Sequence, residues 1–205
     1  MKRESRIPQS ITALSKMLYT LEEYLELDKH SDERFEYFDG EVFPMSGGSV
    51  NHERIVRNLI RRLDEKLEGS PCEAFSSNLR LKVPTAAPYR YPDVTVVCGE
   101  VQTENLQGQE LVLNPQVIIE VLSHTTENYD LGAKFTEYQS IPSFREYVVF
   151  AQNAARVIHH LRQPDDKWLR TDIIGIGASV MLETLGITLA LRDVYRHVKF
   201  TYDVL

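Results

Sequence analysis

Apolar positions recur along the chain in two rhythms, and their alternation predicts its elements. Thr20-Leu21-Glu22-Glu23 is a capping-box pattern that predicts a short helix through about Asp28, with Leu21, Tyr24 and Leu25 on one side. Arg34–Phe38 and Glu41–Met45 are β-rich runs on either side of Asp39-Gly40, a pair that favours a tight hairpin turn. After Gly47-Gly48-Ser49, a helix is expected from roughly Asn51 to Leu67. Ile55, Val56, Leu59, Ile60, Leu63 and Leu67 share one arc of it, and Arg54, Arg57 and Arg61 lie opposite. From Cys72 the pattern turns to strands: Ala74–Val83, Tyr91–Cys98 and Val117–Leu122, the last reading VIIEVL. A helix over about Glu127–Ser140 carries Leu131, Phe135 and Tyr138 on one face. Strands are then expected at Glu146–Ala151, Arg156–Arg162, Trp168–Ile174 and Thr188–Leu191.

Two near-continuous apolar strands, VIIEVL and YVVF, flank a helix, which predicts a right-handed βαβ crossover. With hairpins on either side, the fold class is α/β (α+β), a mixed sheet flanked by helices with added β-hairpins. No repeat or low-complexity linker divides the chain, so one domain is expected over 1–205, with 1–19 as an N-terminal extension.

Composition removes several classes. At 42% hydrophobic and 26% charged the chain is of ordinary globular type. No apolar run approaches the roughly 18 residues that span a bilayer, and the N-terminus lacks a signal-peptide core, so a cytoplasmic protein without a membrane partner is expected. Cys72 and Cys98, without a CxxC or regularly spaced His, read as reduced thiols that offer no zinc site. The net charge of −7 opposes tight, sequence-blind binding to nucleic acid. It is uneven, with −4 in residues 1–50, +3 in 51–90 and −6 in 91–205. The central segment, with Arg80, Lys82 and Arg90, is the one place where a nucleic-acid backbone could be gripped.

Candidate chemistry centres on two carboxylates in apolar strands. Asp93 follows Pro92 and precedes Val94-Thr95-Val96-Val97, while Glu120 lies inside VIIEVL. A buried ionised carboxylate needs a cation, a donor network or a raised pKa. The strand period places Glu120 with Ile118 and Leu122, so Asp93 and Glu120 project together if their strands are neighbours. Two such acids suit Mg²⁺, which takes hard oxygen ligands with waters and a substrate phosphate. Lys134 stands at the edge of the Leu131–Phe135–Tyr138 stripe, where its ammonium can turn inward and Tyr138 can orient it. Spacing alone favours a solvated Lys134. His52 falls in the apolar arc of its helix, where a hydrogen-bonded structural role is the commoner one. His124 reads equally as a site-mouth or loop residue, His159 and His160 must point to opposite faces, and Gly175-Ile176-Gly177 reads as a turn.

Pro92-Asp93 followed by Glu120 in an apolar strand resembles the PD-(D/E)XK nuclease superfamily, the restriction-endonuclease-like fold. From about Thr20 to Val194 the chain is similar to a bacterial family of restriction-endonuclease-like proteins, long catalogued as a domain of unknown function. The matching stretches are Thr20–Tyr24, Phe35-Glu36 with Asp39-Gly40-Glu41, His52, Tyr91–Val94, Val117–Ser123, and Asp130 with Lys134 and Tyr138. The resemblance implies a mixed four-stranded core sheet between helices. It also implies Asp93, Glu120 and the Val121 carbonyl as ligands of Mg²⁺ or Mn²⁺, with Lys134 as the catalytic lysine. The superfamily's lysine stands two residues after the second acid, where this chain has Leu122, so Lys134 would serve from the next helix. Glu36, Glu41, His52 and Tyr138 would lie near the acidic centre as accessory groups.

The function this implies is hydrolysis of nucleic-acid phosphodiesters, DNA first, by a homodimer with weak, metal-dependent binding. The alternative is an inactive or catalytically weak binding module on the same fold, consistent with the acidic net charge and with Leu122.

Overall fold

The computed structural model describes residues 18–31, 34–38, 40–44, 48–85, 89–122 and 130–200, without the side chains of Phe38 and Asp130. Ser123, His124 and the turn position Asp39 lie outside these. The chain falls into two compact units, residues 1–45 and 46–205.

The first unit holds helix α1 (Leu21–His30) and the hairpin β1 (Phe35–Phe38) and β2 (Glu41–Pro44). Thr20 caps α1 as its sequence predicts: its hydroxyl accepts from the Glu23 N–H, and the Glu23 carboxylate accepts from the Thr20 N–H. Gly40 supplies the positive φ of the hairpin, at +83°. Tyr24 is fully buried and donates its hydroxyl to the Phe35 carbonyl, which ties helix to hairpin.

The second unit is built on α2 (Val50–Leu67) and a mixed sheet. Its strands are β3 (Cys72–Ser76), β5 (Val94–Cys98), β8 (Val117–Leu122), β9 (Glu146–Ala151), β10 (Arg156–Arg162) and β11 (Trp168–Ile174). They lie in the order β11-β10-β9-β8-β5-β3. The sheet is thus wider than a four-stranded core. β8 and β9 run parallel and all other neighbours antiparallel. Every residue of β8 and β9 is buried, as continuous apolar runs at a sheet centre require.

Two layers cover the sheet. On one face Ile55, Leu59, Leu63 and Leu67 of α2 pack on Val94, Val96, Val117, Ile119, Val121, Val148 and Phe150. The hairpin β12 (Ser179–Leu182) and β13 (Ile187–Ala190) and the short helix α4 (Leu191–Val194) complete that layer. Buried Asn58 fastens it, donating to the Val194 and Arg196 carbonyls. On the other face Tyr138, Ile141 and Phe144 cover Ile118, Leu122, Tyr147, Val149 and Ile158. Tyr138 belongs to α3 (Phe135–Tyr138), which a π-helical turn over Asp130–Lys134 leads into. A small sheet of β4 (Arg80–Leu81), β7 (Gln109–Val112) and β6 (Thr103–Leu106) closes this side.

Two expectations are corrected. Cys72 and Cys98 face each other in the β3–β5 register and are joined as a disulfide, so they are not reduced thiols. Arg90 is not a surface group: it is fully buried, with its guanidinium on Glu137 at 2.7 Å. No helix among the described residues is long and apolar enough to cross a membrane.

Candidate active site at the ends of β5 and β8

The antiparallel register of β5 on β8 pairs Val94 with Ile119, so one step further Asp93 stands opposite Glu120. Directly opposed residues share a sheet face, and this brings the acids together at the strand ends. The Asp93 N–H donates to Glu120 Oε2 at 3.3 Å, and Asp93 Oδ2 accepts from the Val121 N–H at 2.8 Å. One carboxylate therefore bridges back to the strand that carries the other.

Glu120 is 3% exposed, a costly place for a charge unless donors surround it. Lys134 supplies the cation: its Nζ lies 2.9 Å from Glu120 Oε1, and the residue is itself only 5% exposed. The Tyr138 hydroxyl donates to the same oxygen at 2.9 Å. Lys134 ends the π-helical turn and Tyr138 lies four residues on, so both side chains descend onto one strand position. Lys134 is thus a buried, paired ammonium and not the solvated edge residue that spacing favours.

His52 approaches from the opposite layer. It sits in the first turn of α2, whose N-cap Ser49 accepts from the His52 N–H, and its Nε2 lies 3.2 Å from Asp93 Oδ2. Burial lowers the imidazole pKa, but the hydrogen bond and charge of Asp93, with help from Glu53, outweigh it and leave the pKa raised. A Cβ on Gly48 would meet His52 Nδ1 at 2.7 Å, so a side chain there would push the ring from its place. The structure thus brings Asp93, Glu120, Lys134, Tyr138 and His52 together. Glu36 and Glu41 lie on β1 and β2 of the first unit, and their place beside the acidic centre stays an expectation.

The donor set fits a hard divalent cation in kind. It offers two carboxylates and a strand carbonyl at Val121, and the Asp93 side chain is 16% exposed. Among the described residues no three His, Cys, Asp or Glu side chains are grouped to hold a metal alone. An ion here would rely on solvent and substrate oxygens, as Mg²⁺ commonly does.

The basic residues expected to grip a backbone are mostly engaged elsewhere. Besides buried Arg90, Lys82 pairs with Glu104 and the Arg80 guanidinium lies 5.4 Å from the ring centre of Tyr91. Arg61 and Arg62 pair with Glu65, and Arg62 also with Asp193. Such pairing is nonlocal for Arg90 and Lys82, and no sequence spacing signals it. His159 and His160 point to opposite faces, as the strand period requires: His159 Nε2 lies 2.6 Å from Glu146 Oε1, and His160 packs on Phe135. Glu146, an acid buried in the next strand, escaped the sequence reasoning because it opens EYVVFA, where a carboxylate is commonplace, and its partners lie 13 to 38 residues away.

A mixed sheet between covering layers, with two acids meeting where β5 joins β8 and a lysine reaching them from the following helical turn, is the arrangement expected of a nuclease fold. The family model of Uma2, described as "Putative restriction endonuclease", matches residues 21–192. The chain belongs to this family. It is similar to two Synechocystis sp. proteins, "Uncharacterized protein sll1609" and "Uncharacterized protein slr1290". The first is 36% identical over 171 residues, covering 83% of this chain and 95% of the relative. The second is 33% identical over 181 residues, covering 87% and 92%. In fold it resembles the crystal structure of "a putative nuclease belonging to DUF820" from Anabaena variabilis, with TM-score 0.68 and 15% identity. That match covers 86% of this chain and 97% of the other.

Proposed function

We propose that the chain is a divalent-metal-dependent nuclease that hydrolyses phosphodiester bonds of nucleic acid, with DNA as the first substrate to test. The observation that carries this is the register that sets Asp93 against Glu120 with the Lys134 ammonium on Glu120. Asp93, Glu120 and the Val121 carbonyl would hold Mg²⁺ or Mn²⁺, which when bound polarises a phosphoryl oxygen and lowers the pKa of bound water. Asp93 is held for this by the Val121 N–H, which fixes Oδ2. Lys134 lies against Glu120, and its role is to orient the attacking water and stabilise charge on the phosphate. Tyr138 keeps Glu120 Oε1 in place, and His52 restrains Asp93 from the other layer.

The test is cleavage of supercoiled plasmid DNA and of RNA by purified protein with Mg²⁺ or Mn²⁺, beside metal titration by calorimetry. The wild type should cut, and Asp93→Ala should lose at least about a hundredfold in rate and its metal binding. Absence of cleavage of either nucleic acid, together with no metal binding, would sink the proposal.

A second reading, a non-catalytic nuclease-fold binding module, is favoured by one observation: four of the eight basic side chains of the 51–90 segment, Arg61, Arg62, Lys82 and Arg90, are already paired with carboxylates. Metal binding without cleavage, and unchanged partner binding in Asp93→Ala, would select it.

A further inference from the structure

We propose that β11 is a self-pairing edge, through which two copies of this chain join their six-stranded sheets across a two-fold axis at Thr171. Among the described residues no strand lies beyond β11, although it is seven residues long. Long edges with apolar side chains invite pairing unless they are covered. Leu169 and Ile174 are 56% and 60% exposed.

The phase of the ladder says which groups face outward. The Gly175 N–H donates to the Ala155 carbonyl and the Gln163 N–H to the Lys167 carbonyl, so odd-numbered residues of β11 spend their backbone groups on β10. Trp168, Arg170, Asp172 and Ile174 therefore turn N–H and C=O away from the sheet. An antiparallel partner strand must pair even residues with even residues. Centring the pair on Arg170 or on Asp172 sets like charges face to face. Centring it on Thr171 sets Arg170 against the partner's Asp172 twice over, and overlaps the strand along its whole length. Leu169 then meets the partner's Ile173 on one face, and Trp168 meets the partner's Ile174 on the other.

Backbone phase, charge and apolar pairing thus select the same register. Arg170 and Asp172 already bond within one chain, Nε to Oδ2 at 2.9 Å, with Arg156 on Asp172 Oδ1 at 2.9 Å. Pairing would extend this into a closed array of alternating charge. An isologous contact of this kind uses up the edge in both copies and stops at a dimer. It stands apart from the chemistry at Asp93 and Glu120, and either can fail without the other.

Sedimentation equilibrium of the full chain tests it. The wild type should run at twice the 23.6 kDa chain mass. Arg170→Asp and Asp172→Arg should each raise the dimer dissociation constant at least about tenfold. The double variant Arg170→Asp/Asp172→Arg, and an equimolar mixture of the two single variants, should restore association, because opposite charges face each other again. Thr171 lies on the axis at a non-hydrogen-bonded pair, where Cα atoms approach to about 4.5 Å. Thr171→Cys should therefore cross-link to its own copy under mild oxidation, giving a dimer band on non-reducing gels that the wild type lacks. A monomeric wild type, single reversals that stay dimeric with native circular dichroism, or a Thr171→Cys protein that forms no cross-link would each overturn the proposal.

Discussion

Two buried glutamates lie on neighbouring central strands of one sheet, and they are held in opposite ways. Glu146 of β9 is fully buried; its Oε1 accepts from the Glu183 N–H, its Oε2 from the Thr184 N–H, each at 3.0 Å, and His159 closes the set. Both amide donors belong to the turn between β12 and β13, which fastens that hairpin down, while His159 reaches the carboxylate from neighbouring β10. Glu120 of β8 is held by one ammonium, one phenol and the Asp93 N–H, and beside it stands a second carboxylate that is partly exposed. The first arrangement is closed and uses the charge to organise backbone. The second keeps one carboxylate partly exposed, and under the proposed function that is the side from which a metal ion would be held. Burial of an acid in an apolar strand therefore announces a constraint; what surrounds the acid decides whether it is structural or chemical.

The largest effect expected from this contrast is on folding. Glu146→Ala leaves two amide donors and an imidazole without their acceptor, and should lower stability by about 3–5 kcal/mol in denaturant unfolding. Cleavage per folded molecule, measured well below the unfolding midpoint, should be unchanged, whereas Asp93→Ala loses cleavage and stays folded. A folded Glu146→Ala protein that no longer cuts would break the division between the two acids.

A double-mutant cycle sharpens the other half. Glu120→Gln strands the Lys134 ammonium in the interior, and Lys134→Met strands the carboxylate. Each should destabilise more than the combined variant, with a coupling energy of about 2–3 kcal/mol. Mn²⁺ should raise the melting temperature of the wild type and not that of the double variant, since only a folded state that binds the ion gains from it. Additive losses would mean that the pair seen here is not maintained in solution.

Local rules explain how much of this was readable beforehand. The capping box at Thr20, the Asp39-Gly40 hairpin, the stripe of α2 and the apolar runs of β5, β8 and β9 all follow from patterns within one element. The hairpin of β6 and β7 did not show, because its turn is Gln107-Gly108, with φ of +51° and +88°, and Gln is not a residue that advertises a left-handed position. β12 was likewise unmarked, and the final strand gives way to a helix at Leu191. The site was legible as residue types, but its geometry depends on β5 lying beside β8, which no single segment states. Burial of Arg90 against Glu137 and the facing of Cys72 with Cys98 are also consequences of topology, with partners 47 and 26 residues apart.

The smallest expected effect concerns the adjacent histidines, which repeat the contrast in miniature. His159 has a carboxylate beside it, while His160, on the opposite face, packs against Phe135 and Tyr147, and its Nδ1 finds no partner among the described residues. Burial, with the charges of Arg170 and His159, pulls the His160 pKa down from 6.5 to about 4 against the weaker pull of Asp172. A folded pKa below the unfolded one means that the unfolded chain binds more protons between these two values. Stability from this residue is therefore level above pH 6.5 and falls as pH drops toward 4. His160→Phe keeps the ring packing and removes the proton site. Its stability relative to the wild type should improve by about 1–2 kcal/mol between pH 7 and pH 5, read from paired urea unfolding curves. Parallel pH profiles would show that the imidazole is wetted in solution, and would leave Glu146 with no contrast to draw against its neighbour on β10.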